Sequence, residues 1–259
     1  MSVSDQSISP HYFGGPDARL FGCYHAAPAG VTPRGHMLVC NPMGHEFLGS
    51  HRAVRQLAVR LAQAGCPALR FDFFGTGDSA GDSSAGTLCR WLHDITEAVL
   101  QLKTRAGRGP VSLLGLRLGG SLALWHLQGV DAVECESLVL WDPIVNGREY
   151  VAELLMWHRE RLGAGEANEI LGMPFGHGLR SEIEGMDLLT VGRPKARRIL
   201  IVTTGADSSR ARSLAERLTQ LGSDVSSLSF EAGLMWNEPG KAAVPNTVIQ
   251  SIVSWTKGQ

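Results

Sequence analysis

Two glycines set the most demanding turn in this chain. In Gly115-Leu116-Arg117-Leu118-Gly119-Gly120, small residues stand two places before and two places after Arg117, directly behind the apolar run Val111-Ser112-Leu113-Leu114. That spacing suits a strand that turns sharply into a helix and holds one side chain at the apex, the pattern of the G-x-S-x-G elbow. The apex of such a turn ordinarily carries a nucleophile. Here it carries arginine, whose guanidinium stays protonated and cannot attack a carbonyl. The frame for a nucleophile is present without the nucleophile.

The sequence around this turn alternates strands and helices. An early antiparallel strand is expected over 20–25, and a short apolar strand over 36–40 opens into the loop Asn41-Pro42-Met43-Gly44. Apolar residues at Val54, Leu57, Ala58 and Leu61 predict a helix over 51–64, stopped by Gly65. A buried strand over 68–74 leads through Gly75-Thr76-Gly77-Asp78-Ser79 to a helix over 87–104, with Leu88, Trp91, Ile95, Val99 and Leu102 on one face. Strand 111–116 feeds through Arg117 into a helix reaching residue 128, and further strands over 137–141 and 198–204 end at Asp142-Pro143 and Gly205-Ala206-Asp207. The tail reads as helix 208–221, strand 225–230 and helix 244–255, with Pro245 in the first turn. Such alternation argues for an α/β fold, one domain over 1–259, with a mostly parallel sheet, helices on both faces, and ligands beyond the carboxyl ends of the strands. Residues 146–194 mix helical pieces with Gly and Pro breaks, far longer than an ordinary connection. They are expected to form a lid or cap.

Hydrophobic residues make up 44% of the chain and charged residues 19%, values of a globular protein, and no apolar run approaches the length of a membrane span. A formal net charge of -1 gives no footprint for nucleic acid or a membrane surface, which leaves a small-molecule substrate as the expected partner and a homodimer open. Residues 1–10 lack the basic and apolar regions of a signal peptide, so a cytoplasmic location is expected. The five cysteines are scattered without C-x-x-C spacing, which argues against a disulfide framework or a zinc site. His45, Glu46 and His51 lack the H-E-x-x-H spacing, and no P-loop is present. No metal and no cofactor are expected.

The segment Arg70-Phe71-Asp72-Phe73-Phe74-Gly75-Thr76-Gly77-Asp78-Ser79 resembles the Asp-x-x-Gly-x-Gly-x-Ser stretch of the α/β-hydrolases, and the order of elements resembles that superfamily over nearly the whole chain. The resemblance implies an elbow after the fifth strand and a lid insertion after the sixth. More narrowly, Asn41-Pro42-Met43-Gly44-His45-Glu46, the Gly-Leu-Arg-Leu-Gly elbow and Leu140-Trp141-Asp142-Pro143 resemble the hydrolase-like proteins associated with exosortase systems.

A hydrolase of this fold needs a nucleophile, an acid and a histidine, in that chain order. Arg117 occupies the nucleophile position, and no histidine occurs between Val225 and Gln259. Asp207, or Asp142 in a variant arrangement, keeps the acid. Cys40 and Ser121 offer no good substitute, the first reading as core and the second as a helix residue. At a helix N-terminus, arginine adds a planar bidentate donor to a place that already favours anions, so Arg117 is a candidate anion clamp, or a plug paired with Asp142, Asp207 or Glu46. His45 and Glu46, in the loop after strand 36–40, are candidate acid/base groups with Asp142 and Asp207. Met43, Leu118, His177, Trp236 and Glu238 are candidate substrate-binding residues beside the loop, the elbow, the lid and the missing histidine's loop. Two classes of function follow. One is an enzyme acting on an acyl, ester or thioester compound without a serine nucleophile, or a cofactor-free lyase or isomerase using the same groups. The other is an inactive binding or scaffolding protein.

Overall fold

The computed structural model describes residues 8–129, 132–163, 168–205, 208–231 and 244–258. The elements run β1 (Ile8–Phe13), β2 (Leu20–His25), β3 (His36–Cys40), α1 (Gly44–Gln63), β4 (Ala68–Phe71), α2 (Leu88–Ala106), β5 (Val111–Leu116), α3 (Leu118–His126) and β6 (Cys135–Trp141). They continue with α4 (Gly147–Leu162), β7 (Glu169–Ile170), β8 (Met173–Pro174), α5 (His177–Glu184), β9 (Ala196–Thr203), α6 (Ser209–Gln220), β10 (Asp224–Ser229) and α7 (Asn246–Lys257). Eight strands form one sheet in the order β1-β2-β4-β3-β5-β6-β9-β10. β2 pairs antiparallel with β1 and β4, and the remaining pairs are parallel.

The central strands β3 and β5 are buried along their whole length, as strands covered on both faces must be. Their continuous apolar runs divide by alternation. Met37, Val39, Leu114, Leu116, Val139 and Trp141 face one way, onto α1 and α7, whereas Leu38, Cys40, Leu113, Leu138 and Leu140 face the other, onto α2, α3 and the segment between β6 and β9. Side-chain caps start two of the helices. Thr87 accepts from the Arg90 amide at the head of α2 (3.1 Å), and Asn146 accepts from the Glu149 amide at the head of α4 (3.1 Å).

Several elements depart from the sequence-based expectation. α1 begins at Gly44, a full two turns before residue 51, so His45 and Glu46 lie on its first turn and not in a loop. Gly44 takes a positive φ of 58°, which lets the chain enter the helix directly behind Pro42, and the acidic Glu46 suits a helix N-terminus. The strand expected over 68–74 ends at Phe71, and the last helix starts at Asn246 with Pro245 as its N-cap residue. β1 and the β7–β8 hairpin were not anticipated. The described residues of 146–194 form α4, the hairpin, α5 and a 3-10 turn at Leu188–Thr190.

At the elbow, a Cβ on Gly115 would strike the carbonyl oxygen of Gly119 and the backbone of Gly120, and one on Gly119 would strike the carbonyl oxygens of Cys40 and Asn41. β5, α3 and the end of β3 therefore meet backbone to backbone. Gly115→Ala and Gly119→Ala should each lower the stability by about 3 kcal/mol or more, the upper end of overpacking costs. Gly178→Ala, with open space around the new Cβ in α5, should stay within about 0.5 kcal/mol or gain slightly. Urea unfolding midpoints compare the three.

Candidate functional site

The turn that joins β5 to α3 places Arg117 at φ 52° and ψ −125°, a conformation a side-chain-bearing residue adopts only when its surroundings impose it. The Arg117 amide donates to the Trp141 carbonyl (2.9 Å), while the amides of Gly120 and Ser121 donate to the Arg117 carbonyl (3.0 and 3.2 Å). The side chain is thereby aimed at the carboxyl ends of the central strands.

There, among the described residues, the guanidinium meets two carboxylates. Nε lies 2.8 Å from Glu46 Oε1 on α1, and one terminal nitrogen lies 3.3 Å from Glu153 Oε2 on α4. The Tyr150 ring centre is 5.5 Å from the guanidinium carbon, and the Tyr150 hydroxyl donates to Glu46 Oε2 at 2.9 Å. The Glu46 side chain is wholly buried and that of Arg117 is 12% exposed, whereas that of Glu153 is 37% exposed. Burial opposes the charge on Arg117, but Glu46, then Tyr150 and Glu153, outweigh it and hold the guanidinium protonated. Burial raises the Tyr150 pKa well above its ordinary value, and the neighbouring Glu46 charge adds to this. Glu153 is pushed up by burial and by Glu46, against the pull of Arg117.

Of the carboxylates expected as partners of Arg117, Glu46 pairs with it, Asp207 lies outside the described residues, and Asp142 is bonded elsewhere. The Asp142 carboxylate accepts from the amide of Thr204 (2.9 Å) and from its hydroxyl (2.5 Å), just past β9. Asp142 itself sits at a positive φ of 43°, which turns its side chain toward that neighbouring strand end. Burial raises its pKa against the Thr204 bonds, and Arg117 acts on it only through its field. Among the described residues, the carboxylates that pair with Arg117 are on α1 and α4. Held by two carboxylates among the described residues, the guanidinium is a pinned cation.

Beside this cluster lies a cavity of about 360 Å³. One side is formed by Met43, His45 and Phe47 at the start of α1, another by the loop from Gly75 to Ser83, and a third by Tyr150, Leu154, Ile170 and Phe175 from the segment after β6. His45 packs edge-on against Trp157, with ring centres 5.6 Å apart, and its Nε2 is buried without a partner. Burial, then the charges of Arg161 and Arg117, push its pKa down to about 4, so the ring is neutral at neutral pH. Leu118, at the first position of α3, is buried in the core and is not on the cavity wall. His177 is exposed at the start of α5 and also stands off the wall. Asp207, Trp236 and Glu238 lie outside the described residues. Cys40 is fully buried, its thiol pushed up by burial, and Ser121 Oγ donates to the Ile144 carbonyl at 2.7 Å. Tyr150, Glu153 and Thr204 were missed by sequence reasoning. The Asn146 cap, with Tyr150 and Glu153 three residues apart behind it, was the signal for the first two.

The amides of Met43 and Leu118 take no partner among the described residues. In the G-x-S-x-G architecture, these two positions supply the donors for an oxyanion. Residues 33–167, more than half of the chain and the part that holds the elbow, Glu46, Tyr150 and Glu153, match the family described as serine aminopeptidase, S33. The chain belongs to this hydrolase family. Solved structures agree on the α/β-hydrolase fold. A thermostable carboxyl esterase from Bacillus coagulans superposes with a TM-score of 0.70 at 16% identity, covering 97% of this chain and 98% of that one. A monoglyceride lipase from Saccharomyces cerevisiae gives 0.71 at 14% identity, covering 98% and 96%. The mouse α/β-hydrolase domain-containing protein 10 gives 0.61 at 17% identity, covering 96% and 97%. No curated protein sequence matches the chain. Among the described residues, no group of three metal-ligating side chains comes together, and no helix is long and apolar enough to cross a membrane.

Two measurements check this electrostatic picture. Arg117→Leu should cost about 3–5 kcal/mol, because it strands the buried Glu46 charge, whereas Glu153→Gln, on the exposed arm, should cost about 1 kcal/mol or less. For His45, the unfolded ring takes up a proton below its ordinary 6.5 and the folded ring only below about 4. Its contribution to stability is therefore lost as pH falls from 6.5 toward 4. Over that window, the urea midpoint of the wild type should fall more steeply with acid than that of His45→Asn.

Proposed function

We propose that this member of the hydrolase family acts on a small acyl, ester or thioester compound held in the cavity beside Tyr150, by acid–base chemistry and without a covalent acyl-enzyme intermediate. The observation that carries the reading is the Tyr150–Glu46 pair. Its phenol is on the cavity wall with its proton already directed to a carboxylate 2.9 Å away, and that carboxylate is fixed by Arg117. A water on the cavity side can pass a proton to the Tyr150 oxygen as Tyr150 passes its own to Glu46, leaving hydroxide to add to the carbonyl carbon. The amide of Met43, a residue of the cavity wall, takes no partner among the described residues and is the donor for the oxygen that becomes negative. In this reading, Arg117 positions Glu46, and residues 146–194 are the lid that supplies Tyr150. The class of compound is that of the esterase and lipase neighbours. The segments Asn41–Glu46 and Leu140–Pro143 favour a place among the exosortase-associated hydrolase-like proteins, with a cytoplasmic location.

A second reading, binding without turnover, is favoured by the pinned guanidinium at the place where a nucleophile would stand. The two separate on one variant. With a panel of short-chain esters and thioesters, Tyr150→Phe should keep its fold and lose about 100-fold or more in kcat/KM, the scale of a lost proton-transfer group. Fluorophosphonate should label no serine. Unchanged turnover in Tyr150→Phe, or a labelled serine, removes the proposed mechanism. Absence of turnover across the panel, with thermal stabilisation by its members, establishes the binding protein.

A further inference from the structure

The wall of the cavity carries little charge. Of the side chains that wall it among the described residues, only Asp82 carries a charge, since His45 is neutral there. Asp82 is exposed to solvent and uses Oδ1 to cap the 3-10 turn Ser83–Ala85, accepting from the Ser84 amide (2.8 Å) and hydroxyl (2.7 Å). Its Oδ2 takes no partner among the described residues. Behind Tyr150, two carboxylates, Glu46 and Glu153, share the guanidinium of Arg117. Arg161, whose field reaches His45, lies over the Trp157 ring with its guanidinium carbon 6.0 Å from the ring centre. Leu154, Ile170, Phe175 and Leu179 give the rest of the wall an apolar surface. A ligand carboxylate whose head lay beside Asp82 would meet no cationic side chain among the described wall residues and would face a carboxylate of its own sign. A hydroxyl or an ammonium would meet a free acceptor.

We infer that this cavity takes an apolar chain with a hydrogen-bond-donor head, a hydroxyl or an ammonium, accepted by Asp82 Oδ2, and that it excludes free carboxylates. The inference rests on the cavity being the acyl site proposed above. It also gives the site a direction. When water splits an ester there, the acid that forms loses its proton to solvent, and the resulting carboxylate is the species held least.

Calorimetric titration of the full chain with three probes of equal chain length, 1-octanol, octylammonium and octanoate, tests this at neutral pH. The alcohol and the ammonium should each bind at least about tenfold more tightly than the carboxylate. Asp82→Asn, which keeps a good capping side chain, should shrink the octylammonium-to-octanoate ratio about tenfold. Octanoate binding as tightly as octylammonium overturns the charge selection and leaves the acyl site standing. An unchanged ratio in Asp82→Asn overturns the role of Asp82. Failure of all three probes to bind removes the acyl site itself, and the inference with it.

Discussion

The buried pairing of Arg117 with Glu46 is the interaction on which the site depends. Each partner is in a position that its backbone forces: Arg117 at the apex of a turn with a positive φ, and Glu46 on the first turn of a helix entered through Gly44. Neither charge is tolerable alone away from water, so each explains the other. The pairing also reaches the segment after β6, since the Tyr150 hydroxyl donates a hydrogen bond to the second oxygen of Glu46 and Glu153 takes the far side of the guanidinium. α1, α3 and α4, which are far apart in sequence, are joined at one point. The orientation of α4 over the strand ends, and hence the shape of the cavity, follows from it.

This joint gives the elbow glycines a reason to exist apart from catalysis. Gly115 and Gly119 are required because β5, α3 and the end of β3 approach backbone to backbone, whatever side chain stands between them. The same geometry would expose a serine, and here it exposes a guanidinium. An elbow motif is therefore evidence for a fold and for a strained apex, while the chemistry depends on what the apex residue meets. For Arg117 that is a pair of carboxylates, which turns a position suited to attack into one suited to holding a neighbouring acid in place.

Much of the fold was legible in the sequence because its signals are local. The apolar runs of β3, β5 and β6 and the helical stripe of α2 can be read without knowing what they touch. The start of α1 could not. Asn41-Pro42-Met43-Gly44 carries the residues of a loop, and only the burial of Glu46 against a charge 71 positions away makes helix the better state for the first turn. The site divides in the same way. Arg117 and Glu46 were visible as residues out of place, whereas the partner of Asp142 was not, because a threonine after a strand announces nothing. Tyr150 and Glu153 were hidden in a segment whose Gly and Pro breaks obscure its one long helix.

The two carboxylates of Arg117 are unequal, and the inequality assigns their roles. Glu46 is wholly buried and held by two donors, so moving it would leave Arg117 and Tyr150 unsatisfied together. Glu153 is more exposed, its contact is longer, and burial together with the Glu46 charge disfavours its ionised form. Of the two arms, it is the one that yields at least cost. The side of Arg117 toward α4 is therefore the adjustable face of the cluster, and the Glu46 side is the fixed one. A proton relay needs its acceptor held still. In the relay proposed above that acceptor is Glu46, and Tyr150, which donates to it, is held with it on the fixed side.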